Sequence, residues 1–171
     1  MKKPQPRKSP AQLTHVDETG RVRMVDVSDK GETTRLARAR ALLRCTPATR
    51  DAIANGSLAK GEALATARVA GVLAAKKTGE LIPMCHPIAL TDVIVDLVPV
   101  DDGIEIEATA KTVGRTGVEM EAMVAASIAG LTLYDMAKAI ERGMVLDAVR
   151  LVEKRGGKSG TWLREDDRDR T

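Results

Sequence analysis

Apolar and polar residues recur with two different periods along this chain, and the changes of period divide it into elements. Val22 to Val27 is a short extended run. From Arg35 to Cys45 the charges at Arg38 and Arg40 alternate with Ala37, Ala39 and Ala41. That two-residue period predicts a strand, although Ala and Arg both favour helix. Thr46 then offers an N-cap, Pro47 suits a first helical turn, and Gly56 can end a short helix. A second helix is predicted from about Gly61 to Thr78, closed by Gly79. Strands from about Leu90 to Val98 and Ile104 to Thr112 flank Asp101, Asp102 and Gly103, which have the chemistry of a hairpin turn. A long helix from Val118 to Arg142 ends at Gly143, and Met144 to Lys154 forms the last strand.

With the small preliminary elements set aside, the order is strand, helix, strand, strand, helix, strand. This predicts an α+β fold, a ferredoxin-like βαββαβ sandwich with an antiparallel sheet and helices on one face, plus short N-terminal elements. Such a fold hosts many functions, so the chemistry must be read from side chains.

Composition narrows the class. A chain of 171 residues suits one domain, placed at 13–162, between a basic tail at 1–12 and a charged tail at 163–171, both read as disordered. Phe is absent and Tyr134 and Trp162 are the only large aromatics, so the core must come from Leu, Val, Ile, Met and Ala. Small side chains favour close packing and leave core for neighbouring subunits to complete. A net charge of +3 fits an anionic ligand, while the lack of aromatics removes the stacking platforms of an RNA-binding surface, so no nucleic-acid partner is expected. No apolar run reaches membrane-spanning length, Met1 to Pro10 lacks a signal-peptide core, and two distant cysteines make no disulfide framework. No membrane partner and a cytoplasmic location follow as expectations.

Three clusters carry candidate chemistry. Ile82, Pro83, Met84, Cys85, His86 and Pro87 set one of two histidines beside one of two cysteines between prolines that restrict the backbone. A pre-set imidazole serves proton transfer or phosphate contact, but a satisfied loop histidine has the same local sequence. Zinc would need more ligands at suitable spacing, and His15 and Cys45 are isolated, so no metal site is expected. Gly114, Arg115, Thr116, Gly117, Val118, Glu119, Met120 and Glu121 lead into the long helix, where backbone amides can meet an anion or merely make the turn. Asp135 and Lys138 can neighbour each other further along, as a reacting pair or a surface ion pair. Glu121 and Asp135 share a helix face but, fourteen residues apart, stand roughly 21 Å from each other. They cannot flank one reacting atom within one subunit, so a site shared across a subunit interface is expected if both function.

These motifs, with Leu13, Thr14, His15, Met24, Val25, Asp26, Val27, Lys60, Gly61 and the run Gly156, Gly157, Lys158, Ser159, Gly160, occur in an order and spacing that resemble the cyclic pyranopterin monophosphate synthase family of molybdenum-cofactor biosynthesis. The resemblance spans about Leu13 to Trp162. It implies a lyase that rearranges 3′,8-cyclo-7,8-dihydroguanosine 5′-triphosphate to cyclic pyranopterin monophosphate with loss of diphosphate. It further implies Asp135, Lys60 and Lys138 as catalytic residues. Met84, Cys85, His86, Met120 and Glu121 match the family's substrate-contacting segments, and Glu119, Arg35, Lys30 and Lys154 match further pocket residues. No organic cofactor is implied, Mg²⁺ can accompany the triphosphate, and the family's assembly is a homo-hexamer, a trimer of dimers with sites between subunits. Met84 and Arg115 stand where the family commonly has leucine and lysine, changes that keep the apolar and cationic character. A nucleotide-binding regulator or an RNA-binding module without catalysis remains the competing class.

Overall fold

The computed structural model describes residue 21 and residues 24–166. Its sheet is built on β1 (Thr33–Arg44), where the alternation of the sequence becomes two opposite surfaces. Ala37, Ala39, Ala41 and Leu43 are fully buried on one side. On the other, Arg38 pairs with Glu153 at 3.1 Å and Arg40 with Glu107 at 2.6 Å. Ion pairing lets Arg40 and Glu153 be only 5% exposed, since a buried charge must find a partner.

The chain continues through α1 (Pro47–Ala54), α2 (Ala63–Lys76), α3 (Thr78–Leu81), β2 (Asp92–Val100), β3 (Gly103–Gly114), α4 (Glu119–Ala137), β4 (Val145–Arg155) and β5 (Trp162–Leu163). The strands form one sheet in the order β2-β3-β1-β4-β5, every neighbouring pair antiparallel. The helix α4 packs across β1, β3 and β4 and against α2, which in turn covers β2. Ala122, Ala125, Ala126 and Ala129 bring α4 close to the buried alanines of β1, and Leu43, Ile104, Ile106 and Leu133 fill the core around them. None of the described helices is long and apolar enough to cross a membrane.

The N-cap expected at Thr46 is present, its hydroxyl accepting from the Thr49 N–H at 3.4 Å. Four expectations need correction. Residues 24–27 form no strand, and Val22 lies outside the described residues, as do His15 and the 1–12 tail. Gly79 does not close α2. Lys77 caps that helix, and Gly79 sits inside α3, where a Cβ would meet Pro87 Cα at 3.1 Å and the His86 carbonyl at 3.3 Å. The long helix stops at Ala137 and not at Arg142, because residues 138–142 turn back so that the Glu141 carboxylate accepts from the Thr46 N–H at 3.0 Å and its hydroxyl at 2.8 Å. Leu163, assigned by its charged surroundings to the tail, pairs with Glu153, and the Arg164 N–H bonds the Val152 carbonyl at 2.9 Å.

Candidate functional site

The first turn of α4 is one end of the site. Packing of the 84–88 segment against it leaves a cleft of about 430 Å³ whose walls include Lys30, Met84, Cys85, His86, Glu119, Met120 and Glu121. Two features fix the histidine segment. The Cys85 N–H bonds the Ile82 carbonyl at 3.0 Å, and Gly79 admits the His86–Pro87 backbone to α3. A second cleft, of about 570 Å³, shares Lys30, Thr116, Gly117 and Glu119 with the first and adds Arg35, Arg115, Lys154 and Lys158. The two therefore adjoin. All the binding residues named from the sequence meet here.

Charge is arranged unevenly over this surface. The second cleft presents Lys30, Arg35, Arg115, Lys154 and Lys158 against the acids Asp29 and Glu119, a setting for a polyanion. Lys154 Nζ lies 3.1 Å from Glu119 Oε1, and Arg35 donates from Nε and Nη2 to the carbonyls of Gly114 and Arg115, each at 3.2 Å. Both cations reach the cleft from the helix-covered side of neighbouring strands, β1 and β4. Glu121 differs from these. It is only 3% exposed, and burial, reinforced by the Glu119 charge, raises its carboxyl to about 7 against the lowering effect of its own backbone N–H. The Cys85 thiol is also raised, by burial first and by Glu121 second, so it is held as a neutral thiol and not as a nucleophilic thiolate.

The opposite end of α4 carries the second cluster. Lys60 arrives from the loop between α1 and α2, anchored by buried Leu58 and by the Gly61 N–H bonding the Leu58 carbonyl at 2.9 Å. Its Nζ donates to Asp135 Oδ2 at 2.7 Å and to the Asp135 carbonyl at 2.8 Å. Lys138 Nζ holds the other carboxylate oxygen at 2.7 Å. The hydrogen bond from Lys138 and then that from Lys60 lower the Asp135 carboxyl to about 2. The cluster is half-exposed and open to a ligand.

Within one chain, then, the named residues fall into two groups rather than one. The fourteen-residue interval from Glu121 to Asp135 lies wholly inside α4, so the rise of roughly 21 Å applies to it directly. Sequence reasoning left Lys158 without a role and named Arg115 only within a motif, although both line the cationic cleft. A lone charge in a glycine-rich loop carries no periodic signal. Among the described residues no three His, Cys, Asp or Glu side chains group so as to hold a metal ion.

Known proteins resemble this chain over most of its length. The MoaC family pattern matches residues 24–157. The cyclic pyranopterin monophosphate synthase of Novosphingobium aromaticivorans is 61% identical over 150 residues, which is 88% of this chain and 96% of that protein. The enzymes of the same name from Thermomicrobium roseum and Desulfitobacterium hafniense are 56% and 54% identical, covering 94% and 91% of this chain and 98% and 96% of their own lengths. A match of that extent, joined to relatives that share more than half their aligned residues over nearly their whole length, leaves one conclusion: the chain belongs to the MoaC family.

Proposed function

We propose that the chain is a lyase that converts 3′,8-cyclo-7,8-dihydroguanosine 5′-triphosphate to cyclic pyranopterin monophosphate and diphosphate, a step of molybdenum-cofactor biosynthesis. The names of its relatives support the reaction. The observation that carries it structurally is the pair of adjoining clefts, one strongly cationic and one holding a buried, near-neutral carboxyl. The triphosphate goes to the cationic cleft, where Lys30, Arg35 and Lys154 neutralise charge, and His86 reaches toward the phosphates or moves a proton. Glu121, Met120, Met84 and Cys85 enclose the base.

Rebuilding the base into a pterin needs proton transfers, and closing the cyclic phosphate needs a ribose-derived hydroxyl to attack the α-phosphorus. A new P–O bond then forms, the bond to the β-phosphate breaks, and diphosphate leaves. Asp135, Lys60 and Lys138 are the groups we assign to these proton transfers. A carboxylate held near 2 is a weak base while both lysines clasp it, so Asp135 first orients the two ammonium groups, which donate protons and stabilise charge. It accepts a proton once substrate draws a lysine away.

The ~21 Å between the clusters supports a site completed by a second subunit, with the α4 N-terminal end of one chain facing the α4 C-terminal end of its partner. A homo-hexamer built as a trimer of such dimers is the assembly we infer. The strand order β2-β3-β1-β4 within the α+β sheet supports the ferredoxin-like reading of the fold. The enzyme works in the cytoplasm, and the reaction asks for no organic cofactor. Mg²⁺, if used, travels with the triphosphate. Incubation of the purified chain with the cyclic dihydro-nucleotide should yield pyranopterin and diphosphate in equal amounts, and unchanged substrate would refute the assignment.

A further inference from the structure

Beyond Arg155 the chain runs through Gly156, Gly157, Lys158, Ser159 and Gly160, and its three glycines share left-handed backbone but not surroundings. At Gly156 (φ +96) a Cβ would fall 2.2 Å from the Thr34 carbonyl oxygen, so this glycine admits the backbone of β1. At Gly157 (φ +73) a Cβ would fall 2.2 Å from Arg35 Nη1 and 2.9 Å from its Cζ. At Gly160 (φ +64) no atom lies within 4 Å of the built Cβ. Backbone strain from a side chain is thus common to all three positions, while collision with a charged head group belongs to Gly157 alone.

The guanidinium is held at two points. Carbonyls of Gly114 and Arg115 hold its Nε and Nη2, so Arg35 is seated between the exit of β3 on one side and the glycine segment on the other. We propose that Gly157 is a positioning residue for the polyanion subsite: its missing side chain seats the Arg35 head group in the cleft beside Lys30, Lys154 and Lys158. The inference rests on the reading of that cleft as the triphosphate site. A methyl group at 157 meets the Nη1 end of the guanidinium, so the head group must shift, which disturbs its seat on the two carbonyls and its aim at the phosphates. Bidentate recognition depends on that orientation more than on charge alone.

Binding of inorganic tripolyphosphate, followed by calorimetry on the full chain, tests this without turnover, and steady-state kinetics on the cyclic dihydro-nucleotide add a KM-against-kcat comparison. Gly157→Ala should weaken tripolyphosphate by about tenfold and raise KM by a similar factor, with kcat much less affected. Gly160→Ala, which carries the same backbone strain without the collision, should change binding by less than about twofold. With Arg35→Ala already present, Gly157→Ala should add nothing. Equal effects at 157 and 160, or losses from Gly157→Ala and Arg35→Ala that multiply, would overturn the proposal. Failure of the wild-type chain to bind tripolyphosphate would overturn the cleft reading with it. Tripolyphosphate binding without pyranopterin formation would strike only the proposed reaction, and the Gly157 comparison would stand on the binding data.

Discussion

Glu121 offers a direct physical test, because its carboxyl is held away from water at the junction of two clefts. An ordinary glutamate titrates near 4.5 in the unfolded chain, whereas burial moves this one to about 7 when folded. The folded state therefore holds a proton that the unfolded state has lost, so stability falls as pH rises between those values. The contribution is fully present below pH 4.5, declines through about 7, and is constant above. The two midpoints correspond to roughly 3 kcal/mol over the window. Glu121→Gln removes the titration while keeping the shape. Urea unfolding of both proteins at a fixed chain concentration, from pH 4.5 to 8, should show the variant gaining about 3 kcal/mol on the wild type as pH rises. The carboxylates whose values are lowered, Asp135, Glu141 and Asp147, act in the opposite direction and at lower pH, and they cancel in the difference. A difference curve that is flat across the window would refute the argument that Glu121 is buried against its charge.

Asp135→Asn should cut turnover by a factor of about 10³ or more while leaving tripolyphosphate bound, since it removes a proton acceptor and none of the cations of the anion cleft; calorimetry and a diphosphate-release assay check both. Loss of binding in step with activity would contradict the assignment of Asp135 to proton transfer. Cys85, kept neutral by burial and Glu121, should react with iodoacetamide at pH 7 more slowly than free cysteine, and labelling as fast as free cysteine would count against that environment. Ala148 holds φ +51 in β4 without being glycine, so Ala148→Gly should raise unfolding stability by about 1 kcal/mol in urea titrations; a loss would show the strain to be absent.

Much of the fold is legible locally. The alternation of β1 survives in the structure because both of its surfaces have partners, alanine against α4 and arginine against glutamate. What fails to show depends on contacts far along the chain. The stop of α4 is set by Glu141 reaching Thr46, ninety-five residues away, which no helix signal near Arg142 reveals. Gly79 reads as a helix terminator by type, yet its place in the structure answers to the backbone of His86 and Pro87. The two-residue β5 is too short to show any period. Met84, Cys85, His86, Glu119, Met120 and Glu121 stand in two motifs, whereas Lys30, Arg35 and Lys154 are reached only through the family resemblance, and the helical rise alone separates Glu121 from Asp135. Lys60 joins Asp135 only through folding.

The central claim is a pyranopterin-forming site made from both ends of α4 in different subunits. Its most direct test is the activity of a mixed assembly obtained by co-expressing His86→Ala and Asp135→Asn chains, each inactive alone. A dimer containing one chain of each kind holds one site with both halves intact, so random pairing should restore about a quarter of wild-type conversion of the cyclic dihydro-nucleotide to pyranopterin and diphosphate. Mixed assemblies as inactive as either variant, beside a fully active wild type, would contradict it.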